Sequence, residues 1–205
     1  MADSKLKLNY FNVKGRAELS RLVLAAAGKE YEDLRFSREE WPNYKKATPF
    51  GQTPTLEVDG KLIAQSTAIA AFLAREFGFH GKTNMESLEI DQWLNLKQDF
   101  FSEIRKAVVE KDAEKQAEIW KIFKETVSPR YLQYYEDGLK QNGTGYLVGD
   151  RLTLADLVVF DIVTGIVEGK ICGLENFPLV KALVDKVGAV ERIKSWIETR
   201  PVTIS

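Results

Sequence analysis

The sequence predicts a mixed α/β domain followed by an all-helical one. Three observations carry that reading. Apolar residues alternate with period two near the N-terminus and soon recur at helical spacing, an Asp-Gly pair separates two short apolar runs, and from about Asn84 onward only helical spacing is found. A length of 205 residues suits one or two cores.

Leu6, Leu8 and Tyr10 alternate with polar residues and read as a short strand, which Gly15 breaks. Leu19, Leu22, Val23 and Ala26 then share a helical face, and Gly28 is a natural stop. Tyr31 to Phe36 reads as a second strand, and residues 39 to 47 hold a short helix. Pro49, Gly51 and Pro54 impose irregular backbone before a hairpin, in which Asp59-Gly60 supplies the positive backbone angles of a tight turn between Thr55–Val58 and Lys61–Ala64. Ser66 stands where an N-cap belongs, ahead of Ile69, Phe72, Leu73 and Phe77 on one face. Leu88, Trp93, Leu94, Phe101 and Ile104 then mark one helix, and Ile119 through Tyr135 another that Pro129 should kink. Thr153 and Asp156 have the spacing of a capping box, Pro178 opens a further helix, and Val190 to Ile197 forms the last. The expected division is an α/β domain over 1–78, a linker over 79–83 and a helical domain over 84–205.

Composition removes several classes of function. Lys and Arg total 29 against 30 Asp and Glu, so no basic field attracts nucleic acid or anionic lipid. The longest apolar run, residues 68–74, is far shorter than the roughly 18 residues a membrane span requires. One cysteine, Cys172, and no apolar leader within Met1–Phe11 point to the cytosol. With one histidine, His80, a zinc site of His and Cys ligands lacks the donors it needs. Gly143, Gly145 and Gly149 miss the dinucleotide spacing, and Gly81-Lys82-Thr83 lacks the first glycine of a phosphate loop.

Some residues admit two readings. Tyr10, at the end of a strand, suits the core or a hydroxyl donor where ligands gather in open α/β sheets. Ser66 suits a cap or, with Gln65, a carboxylate held by free N–H groups at a helix N-terminus. Thr53-Pro54 would offer its backbone to a peptide if the bond were cis. Trp41 and Lys45, four residues apart, share a helical face that is either amphipathic surface or part of a site.

Tyr10-Phe11, Gly15-Arg16-Ala17-Glu18, Trp41-Pro42, Pro49 through Pro54, Leu56 through Gly60, Gln65-Ser66 with Ala68-Ile69-Ala70, and Leu154-Ala155-Asp156 resemble the cytosolic glutathione transferases. The Tyr10 start, Trp41-Pro42 and Arg200-Pro201 bring the chain nearest the sigma class, with its prostaglandin D synthases and S-crystallins. The resemblance runs nearly end to end, and implies a thioredoxin-like glutathione-binding domain, a helical domain completing an apolar pocket, and a homodimer.

By that resemblance Tyr10 would donate its hydroxyl hydrogen to the glutathione sulfur, with Arg16 close to the thiol. Thr53, before a cis Pro54, would pair its backbone with the cysteinyl unit. Gln65 and Ser66 would hold the γ-glutamyl carboxylate, Trp41, Lys45 and Gln52 the glycyl end, and Asp99 of a second copy the amine. Phe11, Val13, Ile104, Val108, Val158 and Ile162 would line the pocket for a small hydrophobic electrophile. Where prostaglandin-making members carry three carboxylates for a divalent ion, this chain has Asn95, Gln98 and Asp99, so no metal is expected. Lys106 also replaces a pocket aromatic, which weakens dedicated prostaglandin synthesis. The rival reading is a non-catalytic structural or ligand-carrying protein of the same fold.

Overall fold

The computed structural model describes residues 4–165 and 169–203. The expected domain limits at residues 1 and 205 lie outside them. Two compact units divide the chain, one of residues 1–80 with 189–205 and one of 81–188.

The first unit is built on four strands, β1 (Leu6–Phe11), β2 (Glu32–Phe36), β3 (Thr55–Val58) and β4 (Lys61–Ala64), in the order β2-β1-β3-β4. β1 runs parallel to β2 and antiparallel to β3, which pairs antiparallel with β4. Period-two alternation in β1 buries Leu6, Leu8 and Tyr10. The hairpin turns where expected, with φ of 48° at Asp59 and 86° at Gly60. Helix α1 (Glu18–Ala27) crosses between the parallel strands, and α3 (Ser66–Glu76), which buries Ile69, Ala70, Ala71, Leu73 and Ala74, packs beside it. The short α2 (Trp41–Lys45) follows β2.

Two expectations are corrected here. Ser66 is the first helical residue of α3, not its cap; Gln65 occupies the cap with φ 80° and ψ 105° and makes no side-chain capping bond. That conformation lets the chain leave β4 and enter the helix with no intervening loop. Of the last residues, expected in the helical domain, the described 189–203 pack in the first unit, because the last helix buries Ile193 and the helix and its C-cap supply partners to the buried Glu18.

The second unit holds α4 (Asn84–Val109), α5 (Ala113–Ile122), a π turn (Phe123–Val127), α6 (Ser128–Asn142), α7 (Leu154–Thr164) and α8 (Pro178–Gly188). α7 is buried from Leu154 through Ile162, with α4 and α8 packed on it, as expected of a helix apolar almost all round. Its N-terminus is closed by Asp156, whose carboxylate accepts the Thr153 N–H at 2.7 Å and hydroxyl at 3.0 Å. At Pro129 the expected kink takes the form of the preceding π turn: proline has no N–H to continue the ladder, and the wider turn absorbs the break. The last helix of the chain, α9 (Glu191–Thr199), belongs to the first unit.

Candidate functional site

Strand registers gather the candidate residues of the first unit at one rim of the sheet. Asn9 pairs with Thr55, Thr55 with Ala64, and Phe11 with Phe36. The ends of β1, β2 and β4 and the start of β3 therefore lie at that rim. The chain emerges there at Tyr10 to Arg16, at α2, at Thr53-Pro54 and at Gln65-Ser66.

Tyr10 is 8% exposed. Its hydroxyl oxygen accepts the backbone N–H of Arg16 at 3.1 Å, across a turn of 3₁₀ helix at residues 15–17. Gly15 makes the approach possible: its φ is +45°, and a Cβ there would lie 2.6 Å from the hydroxyl oxygen. Burial pushes the phenol above its ordinary range, against the lowering effects of the Arg16 N–H and of the charges of Arg16, Arg21 and Arg38. The hydroxyl therefore keeps its proton at neutral pH. Since its oxygen already accepts one bond, that proton is available to a second partner, and the accepted bond strengthens the donation.

The Thr53–Pro54 peptide is cis. The Thr53 hydroxyl donates to the carbonyl of Asn9 at 2.8 Å, while the Asn9 amide donates to the hydroxyl of Thr55 at 3.2 Å, so this segment is tied directly to β1. Because Thr55 and Ala64 close the hairpin ladder, Thr53-Pro54 and Gln65-Ser66 leave the sheet side by side. Ser66 heads α3 with its N–H in the first, unpaired turn, where an anion is favoured. Gln65 holds a positive φ with a side chain, a costly conformation of the kind that collects at ligand clamps.

Trp41 stacks on Phe36 at 5.7 Å and meets Phe11 edge-on at 5.5 Å, so the residue expected at the glycyl end is anchored to the end of β1. Lys45 is exposed, with its stem passing beside Gly51. Gln52 is exposed, and Phe11, Val13 and Arg16 are half-buried.

The remaining candidates belong to the second unit. Asp99 is exposed on α4; Ile104, Val158 and Ile162 are buried in that unit, whereas Val108 is 53% exposed. The Asn95 amide donates to the carbonyl of Asp91 at 2.8 Å, and Lys106 pairs with Glu103 at 2.6 Å. Among the described residues no three His, Cys, Asp or Glu groups stand together as a metal site, and no helix is long and apolar enough to cross a membrane. A cleft of about 670 Å³ opens at the opposite rim, against Lys5, Glu32 and Gly60, and none of the candidate residues lines it.

Sequence reasoning missed Asn9, the packing of Gly15 on Tyr10, and the buried pair Glu18 and Arg21. Two charges three residues apart in a helix as apolar as α1 were the one available signal for the last.

The glutathione S-transferase N-terminal domain family matches residues 6–75, and the C-terminal domain family matches 98–200. A probable glutathione S-transferase 7 of Caenorhabditis elegans is 40% identical over 200 residues, 96% of this chain and 97% of its own length. Three solved structures superpose closely. Prostaglandin synthase D of Nilaparvata lugens has TM-score 0.88 and 37% identity over 97% of this chain and 100% of its own. A Nu-class enzyme from Haemonchus contortus has TM-score 0.86 and 41% identity over 98% and 100%. The monomeric Na-GST-3 of the hookworm Necator americanus has TM-score 0.85 and 40% identity over 97% and 98%. The sheet order, the helical second unit and these matches place the chain in the glutathione S-transferase family, and so among the transferases.

Proposed function

We propose that the chain ionises the thiol of glutathione through Tyr10 and directs the thiolate at small hydrophobic electrophiles, by substitution or conjugate addition. One observation carries the reading: a buried hydroxyl that keeps its proton, already accepting the Arg16 N–H, at the rim where the other candidate residues emerge. A free thiol, with a pKa of about 8.5, is only a few per cent thiolate at neutral pH, and the thiolate is the nucleophile. A hydrogen bond to the charged sulfur contributes roughly 1.5 to 3 kcal/mol, equivalent to one to two pKa units.

In this reading Thr53 and Pro54 hold the cysteinyl backbone, Gln65 and Ser66 the γ-glutamyl carboxylate, and Trp41, Lys45 and Gln52 the glycyl carboxylate. Arg16 adds positive charge near the sulfur. Phe11 and Val13, half-buried at the rim, supply apolar surface for the electrophile from the first unit. Ile104, Val158 and Ile162, expected in the pocket, are instead packed in the core of the second unit, at 3%, 0% and 4% exposure, and Val108 alone of the second-unit pocket candidates is exposed. We assign the sigma class on Tyr10, Trp41-Pro42 and Arg200-Pro201, with the Nu class as the rival suggested by the Haemonchus structure. No metal takes part, since Asn95 and Gln98 offer no carboxylate beside Asp99. A lone free thiol, Cys172, suits a reducing cytosol.

Turnover of a generic aryl halide with glutathione tests the activity. Conjugation above the uncatalysed rate is the expected result; tight glutathione binding without conjugation would mark the chain as a non-catalytic carrier. A homodimer is expected, with Asp99 of each copy reaching the ligand amine of the other. Sedimentation at micromolar concentration reads it, and a fully active monomer, the state described for the hookworm relative, would remove Asp99 from the site.

A further inference from the structure

A line of buried charge runs behind Tyr10 to the last helix. The Arg21 side chain is wholly buried. Its Nη1 donates to the carbonyl of Val13 at 2.9 Å and more weakly to that of Lys14 at 3.4 Å, and reaches the Glu18 carboxylate at 3.3 Å. Its Nε and Nη2 donate to Asp33 at 3.3 and 3.2 Å. Glu18, 1% exposed, also accepts Trp196 Nε1 at 3.0 Å and Arg200 Nη1 at 2.9 Å, from α9 and its C-cap. Val13 and Lys14 directly precede Gly15 and Arg16, the turn whose N–H reaches the Tyr10 hydroxyl.

Burying this much charge costs desolvation, and apolar side chains of similar size would pack α1 against α9 as well or better. What apolar residues would not do is hold two loop carbonyls in place. We propose that Arg21 and Glu18, held in turn by Trp196 and Arg200, are positioning residues that fix the Val13–Arg16 loop and so set how strongly Tyr10 donates to the glutathione sulfur. The inference rests on the Tyr10 reading above. It gives the C-terminal segment a part in thiol ionisation without contact with either substrate: loosening the outer end frees Glu18, Glu18 releases Arg21, and the Arg16 N–H drifts from the phenol oxygen.

The test uses the outer end, where substitution spares the loop and Tyr10. Trp196→Phe removes one N–H and keeps most of the ring, and Arg200→Gln removes one charge. Each should raise the apparent pKa of enzyme-bound glutathione, read by thiolate absorbance in the binary complex. A rise of about half a unit to one unit lowers turnover at neutral pH about 1.5- to eightfold, with KM for glutathione within about twofold. Arg200→Lys, which keeps the charge, should recover most of the loss. The charges acting on the phenol are those of Arg16, Arg21 and Arg38.

Tyr10→Phe separates this inference from the reading beneath it. It should raise the thiol pKa, and adding Arg200→Gln should then change nothing further, because the two act through one hydroxyl. If Tyr10→Phe shifts the thiol while Trp196→Phe and Arg200→Gln merely lower the melting temperature, the charge line is structural and the inference fails alone. A shift by Arg200→Gln that persists without the Tyr10 hydroxyl also overturns it. If Tyr10→Phe leaves the thiol unchanged, the Tyr10 reading fails and this inference with it.

Discussion

Both units bury charge, to different ends. In the second unit Lys97 of α4 pairs with Asp161 of α7, both side chains 3% exposed, and Asp156 closes the N-terminus of α7 with bonds from Thr153 and from the Leu147 N–H at 2.8 Å. Those contacts join helix to helix and helix to loop. In the first unit Arg21 turns part of its donor capacity onto backbone carbonyls next to a candidate catalytic hydroxyl. The same residue types thus secure packing in one region and the geometry of a reactive group in the other. Damage to the first kind should appear as lost stability, and damage to the second as a shifted thiol pKa.

The largest effect is expected in the second unit. Lys97→Met leaves Asp161 buried without its ammonium partner, and about 3–5 kcal/mol of stability should be lost in urea titrations. Lys97→Met with Asp161→Leu should restore most of it. A single variant as stable as the parent would show that the pair does not secure α4 to α7.

Gly15→Ala carries the comparison to the first unit. The new methyl would sit 2.6 Å from the Tyr10 hydroxyl oxygen at a φ of +45°, so the turn or the ring must move. Turnover should fall about tenfold or more, as when a transition-state hydrogen bond is lost, with strain of about 1–3 kcal/mol in unfolding experiments. Unchanged turnover would mean that the 3.1 Å bond to Arg16 does not govern Tyr10.

A smaller effect is expected at Asp156, where burial raises the carboxyl to about 6 despite its three hydrogen bonds. The folded form therefore binds this proton more tightly than the unfolded chain, whose ordinary value is 3.8. The resulting stabilisation is full below that ordinary value and is lost as pH rises through about 6. Asp156→Asn should flatten this part of the stability–pH profile and leave the thiol titration unchanged. A profile identical to the parent's would locate the loss of stability with rising pH elsewhere.

Much of the first unit was legible because its signals are local. Alternation in β1, Asp59-Gly60 and the breaker run from Pro49 to Pro54 each fix backbone with neighbouring residues alone. The Ser66 cap failed for a local reason too: Gln65 adopts a conformation that its residue type does not announce. The membership of α9 was hidden because Glu18 and Arg200 lie 182 positions apart, and no periodicity links them. Tyr10 was legible as a residue and as one of two readings, core or donor, but the bond its oxygen accepts was not. Its free proton follows from the Arg16 N–H and from the space Gly15 leaves, which only the folded turn discloses.

The central claim is that Tyr10 ionises the glutathione thiol and contributes little to holding the peptide. The pH dependence of turnover for the parent and Tyr10→Phe tests it directly. The account predicts a loss of about 8- to 25-fold at neutral pH, the fall in thiolate fraction when a pKa lowered by one to two units returns to about 8.5, with KM for glutathione nearly unchanged and much of the rate recovered as rising pH ionises the thiol unaided. Parent-like activity at neutral pH, or a loss of glutathione binding in proportion to the loss of rate, would contradict it and reduce Tyr10 to a packing residue.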